Sequence, residues 1–256
     1  MMKVSDYIAE FLASQGVEYV FGLTGAHALH LLDSICRHPK LKFIPFCHEQ
    51  GAVFAADAYA RVTGKVGVVV STSGPGAVNL ISGACSAYFD SVPMVLITGQ
   101  VMTSQLQTTS KLRQLGFQET PVLAIFDSIT KKVQGLYQAY NTRFILEQAF
   151  LIATEGRKGP VLIDLPDDIQ RAEIETFTEV AQLPVYQPSI SYPTMDTNIA
   201  PLANAQRPLV ILGAGVHQAE AEVEAVQFVE ALGWPVLLSW GGMDLLPYDH
   251  PLNMGG

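Results

Sequence analysis

The stretch "FCHEQGAVFAADAYARVTGK", residues 46–65, puts His48 and Glu49 directly after an apolar run and directly before an alanine-rich segment. Glu49 therefore falls at the carboxyl end of an expected strand and in the first turn of an expected helix, where open α/β sheets place ligands. A carboxylate there can meet a bound ligand. It can equally do no more than complement the helix dipole, worth about 0.3–1 kcal/mol, with His48 as a cap. The pentapeptide alone leaves both readings open. The loop "STSGPGAVN", Ser71 to Asn79, lies between a second strand and helix, and its small residues let backbone approach a flat ligand closely. It lacks the lysine of a P-loop and does not complete the dinucleotide fingerprint, so a plain tight turn fits as well. The same limit applies to "GAG" at Gly213–Gly215, where the sixth position is Gln218, and a nucleotide-dependent oxidoreductase built on that turn is the weaker reading. His27, His30 and Asp33 recur every third residue, but no fourth ligand accompanies them and no metal site is expected. No GxSxG nucleophile motif occurs.

The elements that must position these residues follow from periodicity. Apolar helical spacing at Tyr7, Ile8, Phe11 and Leu12 ends at Gly16 and gives way to the strand "VEYVFGL". Helices are then expected over about 28–36, 50–63, 78–89 and 141–154, and strands at about 42–46, "VGVVVS", "PMVLITG" and "GPVLIDLP", with a long loop after residue 100. Short, continuously apolar strands alternating with helices predict an α/β fold, a doubly wound parallel sheet with helices on both faces. Residues 66–89 carry no charge and are long enough to suggest a membrane span. The cluster Ser71–Gly76 in their middle would leave backbone groups unpaired in lipid, so a buried strand, loop and helix are expected instead.

A net charge of −9 with only 15% charged residues excludes a broad phosphate-binding surface, so no nucleic-acid partner is expected. Cys36, Cys47 and Cys85 are too few and too scattered for a disulfide framework, which fits a reducing compartment. The first residues, "MMKVSDYIAEFLASQG", carry Asp6 and Glu10 among apolar positions and lack the features of a secretory signal, so a cytoplasmic location and no membrane association are expected. The 256 residues divide into a first domain over 1–172, a proline-rich linker over 173–195, and a partial domain over 196–256. "RPLVILGAGV", a helix from about 218 to 232 and "WPVLLSW" supply only two parallel strands and one helix. That is an incomplete second α/β domain, unable to cover both faces of its sheet.

Taken in order, "VFGLTGA", "FCHEQGAVFAADAYARVTGK", "VVVSTSGPGAVNLISG", "AYFDSVPMVLITGQV", "GFQE" and "ATEGRKGPVLIDLPDDIQ" resemble the N-terminal region of thiamine-diphosphate-dependent enzymes, in particular the acetohydroxyacid (acetolactate) synthase group. The resemblance covers residues 1–172, and "RPLVILGAGV" through "PLNMGG" is similar to the opening of that family's central, Rossmann-like domain. It implies that Glu49 touches ring nitrogen N1′ of the aminopyrimidine and favours the imino tautomer, whose 4′ nitrogen then takes the C2 proton of the thiazolium. It further implies that Gly74, Pro75 and Asn79 bind the cofactor. Gly25, Ala26, Phe117 and Gln118 would surround the thiazolium and substrate, and Arg157 matches an arginine that contacts FAD. The implied reaction joins a decarboxylated 2-oxo acid such as pyruvate to a second carbonyl compound, as in branched-chain amino acid biosynthesis.

The sequence departs from the pattern in three places. Thr24 and Ala26 stand where the synthases usually carry glycine and proline, and "TSQLQTTSKLRQLGFQE" is longer and more basic than their counterpart, which leaves the acceptor substrate open. The family holds the diphosphate and Mg²⁺ in a third domain through a "GDG" segment, which these residues do not contain. Weak cofactor binding and no activity are therefore expected of this chain alone, which is either an excised part of a longer enzyme or one subunit of a split one; the expected partners are a second copy in a homodimer or higher oligomer and, for a split enzyme, a separate chain carrying the diphosphate-binding domain. A non-catalytic binding or regulatory module using the same domain is the alternative.

Overall fold

Valine- and isoleucine-rich runs bounded by glycine and proline form the strands, and the alanine- and leucine-rich stretches between them form helices. The computed structural model describes residues 1–107, 112–175 and 204–256. After β1 (Met2–Lys3) and α1 (Val4–Ser14) come β2 (Tyr19–Gly22), α2 (Leu29–Arg37), β3 (Lys42–Pro45), α3 (Glu49–Thr63) and β4 (Gly67–Ser71). The chain continues with α4 (Pro75–Val78), α5 (Ile81–Phe89), β5 (Met94–Gln100), α6 (Val122–Phe126), β6 (Lys132–Gly135), α7 (Thr142–Thr154), β7 (Pro160–Pro166), α8 (Asp167–Arg171) and β8 (Glu173–Ile174).

Six strands make one sheet in the order β3-β2-β4-β5-β7-β6, with every neighbouring pair parallel. The alternating pleat sends side chains to two separate cores. Val68, Val70, Val95, Ile97, Val161 and Ile163 pack with α1, α2 and α7 on one face, while Val69, Met94, Leu96 and Leu162 pack with α3, α5 and α6 on the other. Helices thus cover both faces, as a doubly wound α/β sheet requires. The strand order reverses between β2 and β4, because the chain runs outward from β2 to β3 and then returns to the far side of β2. Loops leaving β2 and β4 meet at that reversal.

Two differences from the sequence reading have physical causes. The long loop expected after residue 100 contains α6 and the sheet-edge strand β6, whose segment "KVQG" is only partly buried and lacks the apolar run that marks a central strand. The single helix expected over 78–89 is two, a one-turn α4 and then α5, broken around Asn79. The uncharged stretch 66–89 resolves into β4, a loop, α4 and α5, and among the described residues no helix is long and apolar enough to cross a membrane.

The chain divides into two compact units, Met1–Pro188 and Ser189–Gly256. From residue 176 on, the expected linker lies outside the described residues. In the second unit β9 (Val210–Leu212) and β10 (Val236–Leu238) pair in parallel. The helix Glu222–Leu232 buries Val229 against Leu212, Val236, Leu238, Leu245 and Leu246. Ile211, turned the other way, is 69% exposed, while its cross-strand partner Leu237 is half-buried.

Candidate functional site

Glu49 is the first residue of α3, directly after the N-cap His48, whose side chain accepts a hydrogen bond from the Gln50 backbone N–H at 3.1 Å. Although it begins a helix, Glu49 is only 6% exposed. Its Oε2 accepts a hydrogen bond from Asn79 Nδ2 at 2.8 Å. Its Oε1 lies beside Gly76, where an added Cβ would come within 2.9 Å of it, and has no hydrogen-bond partner among the described residues. That oxygen is not sealed off from its surroundings, so it is open to a donor from outside the chain.

The loop after β4 is built to make this arrangement. Gly74 sits at φ 63°, ψ −134°, a conformation open only to glycine, and Pro75 starts α4 at once. The single turn holds the Val78 N–H on Gly74 O and the Asn79 N–H on Pro75 O, which delivers the Asn79 amide to Glu49. A third segment closes over it: Gln118, itself at φ 60°, packs so tightly on Gly74 that a Cβ there would lie 2.8 Å from Gln118 Cβ. Such a backbone conformation in a non-glycine residue costs of order 1 kcal/mol and marks a segment held from outside.

A fourth segment arrives from β2. Gly25 lies against Thr72, the His27 N–H donates to Thr72 Oγ1 at 3.3 Å, and His27 Nδ1 is 2.6 Å from Ser73 Oγ. Behind it the fully buried Gln170 donates to His27 O at 2.7 Å and accepts from the Leu31 N–H at 3.1 Å. Ala26 and Phe117 are exposed, the latter 75%. Seven of the residues singled out in the sequence, Gly25, Ala26, Glu49, Gly74, Pro75, Asn79 and Gln118, thus fall on segments meeting at the carboxyl ends of β2, β3 and β4. Phe117 adjoins them on the loop after β5.

Residues 2–125 match the model described as "Thiamine pyrophosphate enzyme, N-terminal TPP binding domain", and residues 195–256 match "Thiamine pyrophosphate enzyme, central domain". The chain belongs to the thiamine pyrophosphate enzyme family. It is 37% identical to the chloroplastic acetolactate synthase of Arabidopsis thaliana over 98% of this chain and 37% of that protein. It is also 37% identical to the acetolactate synthase large subunit of Haemophilus influenzae, over 100% of this chain and 45% of that one. A probable acetolactate synthase large subunit of Methanocaldococcus jannaschii is likewise 37% identical, over 99% and 43%. The chain spans less than half the length of these relatives.

Not every residue expected at a site in this family member joins the cluster. Arg157 precedes β7, at the opposite, amino-terminal end of the sheet, where its Nε donates to Ser91 Oγ at 2.7 Å and its Nη2 to Phe89 O at 3.3 Å. His27, His30 and Asp33 do not converge: His27 faces Ser73, His30 lies 3.7 Å from Asp167, and Asp33 accepts from Arg37 Nε at 3.0 Å. The sequence marked Thr72 and Ser73 only as part of a small-residue loop and gave no sign of Gln170, yet all three brace the loops. Sequence reasoning also passed over a buried polar cluster at the carboxyl ends of β5 and β7. There Asp164, 1% exposed, accepts from Thr98 Oγ1 at 3.0 Å, Gln100 Nε2 at 3.2 Å and Tyr137 Oη at 3.1 Å. Burial raises the Asp164 carboxyl to about 6 despite those three donors, and burial followed by the facing Asp164 raises the Tyr137 phenol. The signal was a lone acid inside the apolar run "VLIDLP".

Proposed function

We propose that this chain is the pyrimidine-binding part of a thiamine-diphosphate-dependent enzyme of acetolactate synthase type, which makes or breaks a carbon–carbon bond in 2-oxo acids such as pyruvate. One observation carries the reading: Glu49, at the strand-order reversal, keeps one oxygen on Asn79, while the other has no donor among the described residues and is open to one from a ligand. That acceptor set fits a heterocycle offering an N–H, and the missing side chain of Gly76 leaves backbone beside the carboxylate. When bound, thiamine diphosphate supplies a nucleophilic carbon that adds to a carbonyl and accommodates the electrons released with carbon dioxide. The chain's own part is to hold and polarise. Glu49 keeps a proton at N1′ of the aminopyrimidine, Asn79 fixes the carboxylate that does so, and Gly74 and Pro75 line the ring's edge. Gly25, Ala26, Phe117 and Gln118 border the substrate side.

Arg157, at the other end of the sheet, belongs to a separate contact, which the resemblance gives to FAD. The ligands for Mg²⁺ and the diphosphate lie on a part of the family's architecture that carries "GDG", so residues 1–256 by themselves bind the cofactor weakly and supply only the pyrimidine side of the site. Titration calorimetry with thiamine diphosphate and Mg²⁺ tests this, with and without a separately expressed diphosphate-binding polypeptide. Binding that tightens at least tenfold with that partner and is lost in Glu49→Gln supports the reading. Binding indifferent to Glu49→Gln overturns it.

A further inference from the structure

A second carboxylate at the same end of the sheet takes no part in the function proposed above. Asp164 ends the apolar part of β7 and is buried among groups from two neighbouring strands: Thr98 and Gln100 on β5, and Tyr137 just after β6. Tyr137 is the one titratable group among these partners. Gln100 is itself 2% exposed and is used in full. Its amide nitrogen donates both to Asp164 and, at 3.1 Å, to the carbonyl of Thr120, while its amide oxygen accepts from the Val101 N–H at 3.0 Å. Thr120 lies two residues beyond Gln118, the residue packed on Gly74 in a left-handed conformation. At the near end of the same loop, Gly116 rests on Val101 so closely that a Cβ would lie 2.7 Å from Val101 Cγ1. Glu119 ties the loop's base through bonds from the Gln107 and Leu115 N–H groups.

Carboxylate, amide and loop carbonyl thus form one continuous line from the interior of the sheet to the segment covering Gly74. An ionised carboxylate offers acceptors alone, so it orients the Gln100 amide with its NH₂ inward, and that orientation leaves the second N–H for Thr120 O. A neutral Asp164 carries its own O–H donor, which competes with the Gln100 NH₂ for the same space and frees the amide to turn. We infer that Asp164 is a positioning residue, whose buried carboxylate acts through Gln100 to hold the Gly116–Thr120 loop, and with it Gln118, against Gly74. The loop's place in the cofactor and substrate pocket rests on the function proposed above; the tether itself does not.

Backbone amide NMR of the unliganded 256-residue chain separates the two. In the wild type, the Phe117, Gln118, Glu119 and Thr120 amide signals are expected to shift together with the Thr98 and Gly99 signals, with one midpoint near the Asp164 value of about 6. In Asp164→Asn this common titration disappears. In Gln100→Leu the Thr98 and Gly99 signals still titrate, but those of Phe117–Thr120 no longer follow. Tyr137→Phe removes a donor outside the line to Thr120, so the loop continues to follow Asp164. If Asp164→Asn does not fold, Gln100→Leu and Tyr137→Phe decide alone. Loop signals that stay still while Thr98 and Gly99 titrate, or that follow Asp164 equally well in Gln100→Leu, overturn the tether. A thiamine diphosphate titration of the same samples tests the pocket independently.

Discussion

A glutamate at the first position of a helix is ordinarily explained by the helix dipole, but Glu49 is buried and one of its oxygens is spoken for by Asn79. Asn79→Leu therefore strips a buried carboxylate of its donor, and urea unfolding is expected to show a loss of about 1–3 kcal/mol. Gly76→Ala forces a methyl to within 2.9 Å of Glu49 Oε1 and 2.8 Å of Thr72 Cγ2, with a similar loss of about 1–3 kcal/mol and weakened cofactor binding. Asp164 predicts a pH dependence of opposite sign to that of a paired carboxylate. Its rise from 3.8 to about 6 is caused by burial, so between those values the folded chain holds a proton that the unfolded chain has released. Stability from this group is therefore greatest in acid and falls as the pH rises, by roughly 3 kcal/mol in all. Compared with Asp164→Asn, the wild type is expected to gain about 2 kcal/mol on going from about pH 7 to about pH 4.5, read from urea midpoints at each pH. Keeping that carboxylate ionised at neutral pH costs fold stability, and the loop tether through Gln100 is what it gives in return.

Central strands and the helices between them were legible because burial on both faces demands unbroken apolar runs, and β4, β5 and β7 are buried along their whole length. Leu96, fully buried in the face covered by α3 and α5, is such a residue. Leu96→Ala is expected to lower the unfolding free energy by about 2–5 kcal/mol in denaturant titration. The edge strand β6 was not legible, since "KVQG" has one face against helices and one edge without a partner, and its composition reads as loop. For the site, the residues standing where strand gives way to loop or helix could be named beforehand: Glu49, the Gly74–Pro75 turn and Asn79. What escaped was the bracing by side chains far apart in sequence. Gln170 reaches His27 across 143 positions and Gln100 reaches Asp164 across 64, and no local spacing encodes such pairs.

At the scale of the whole molecule the two units differ in how much they bury. The first has two cores, one on each face of a six-stranded sheet, whereas the second packs six buried residues on one side of two strands and leaves Ile211 in solvent. With so few buried residues among those described, the second unit is expected to be the less stable of the two. Both tryptophans, Trp234 and Trp240, lie in the second unit and none in the first, so tryptophan emission reports the second unit alone while far-ultraviolet circular dichroism is dominated by the first. Urea unfolding followed by emission is therefore expected to have its midpoint about 1 M or more below that followed by circular dichroism, a departure from two-state behaviour. Ile211→Lys, at this exposed position, is expected to change neither unfolding free energy by more than about 0.5 kcal/mol. Coincident midpoints would show that the small unit borrows its stability from the large one, and a large loss in Ile211→Lys would show that this position is covered in solution.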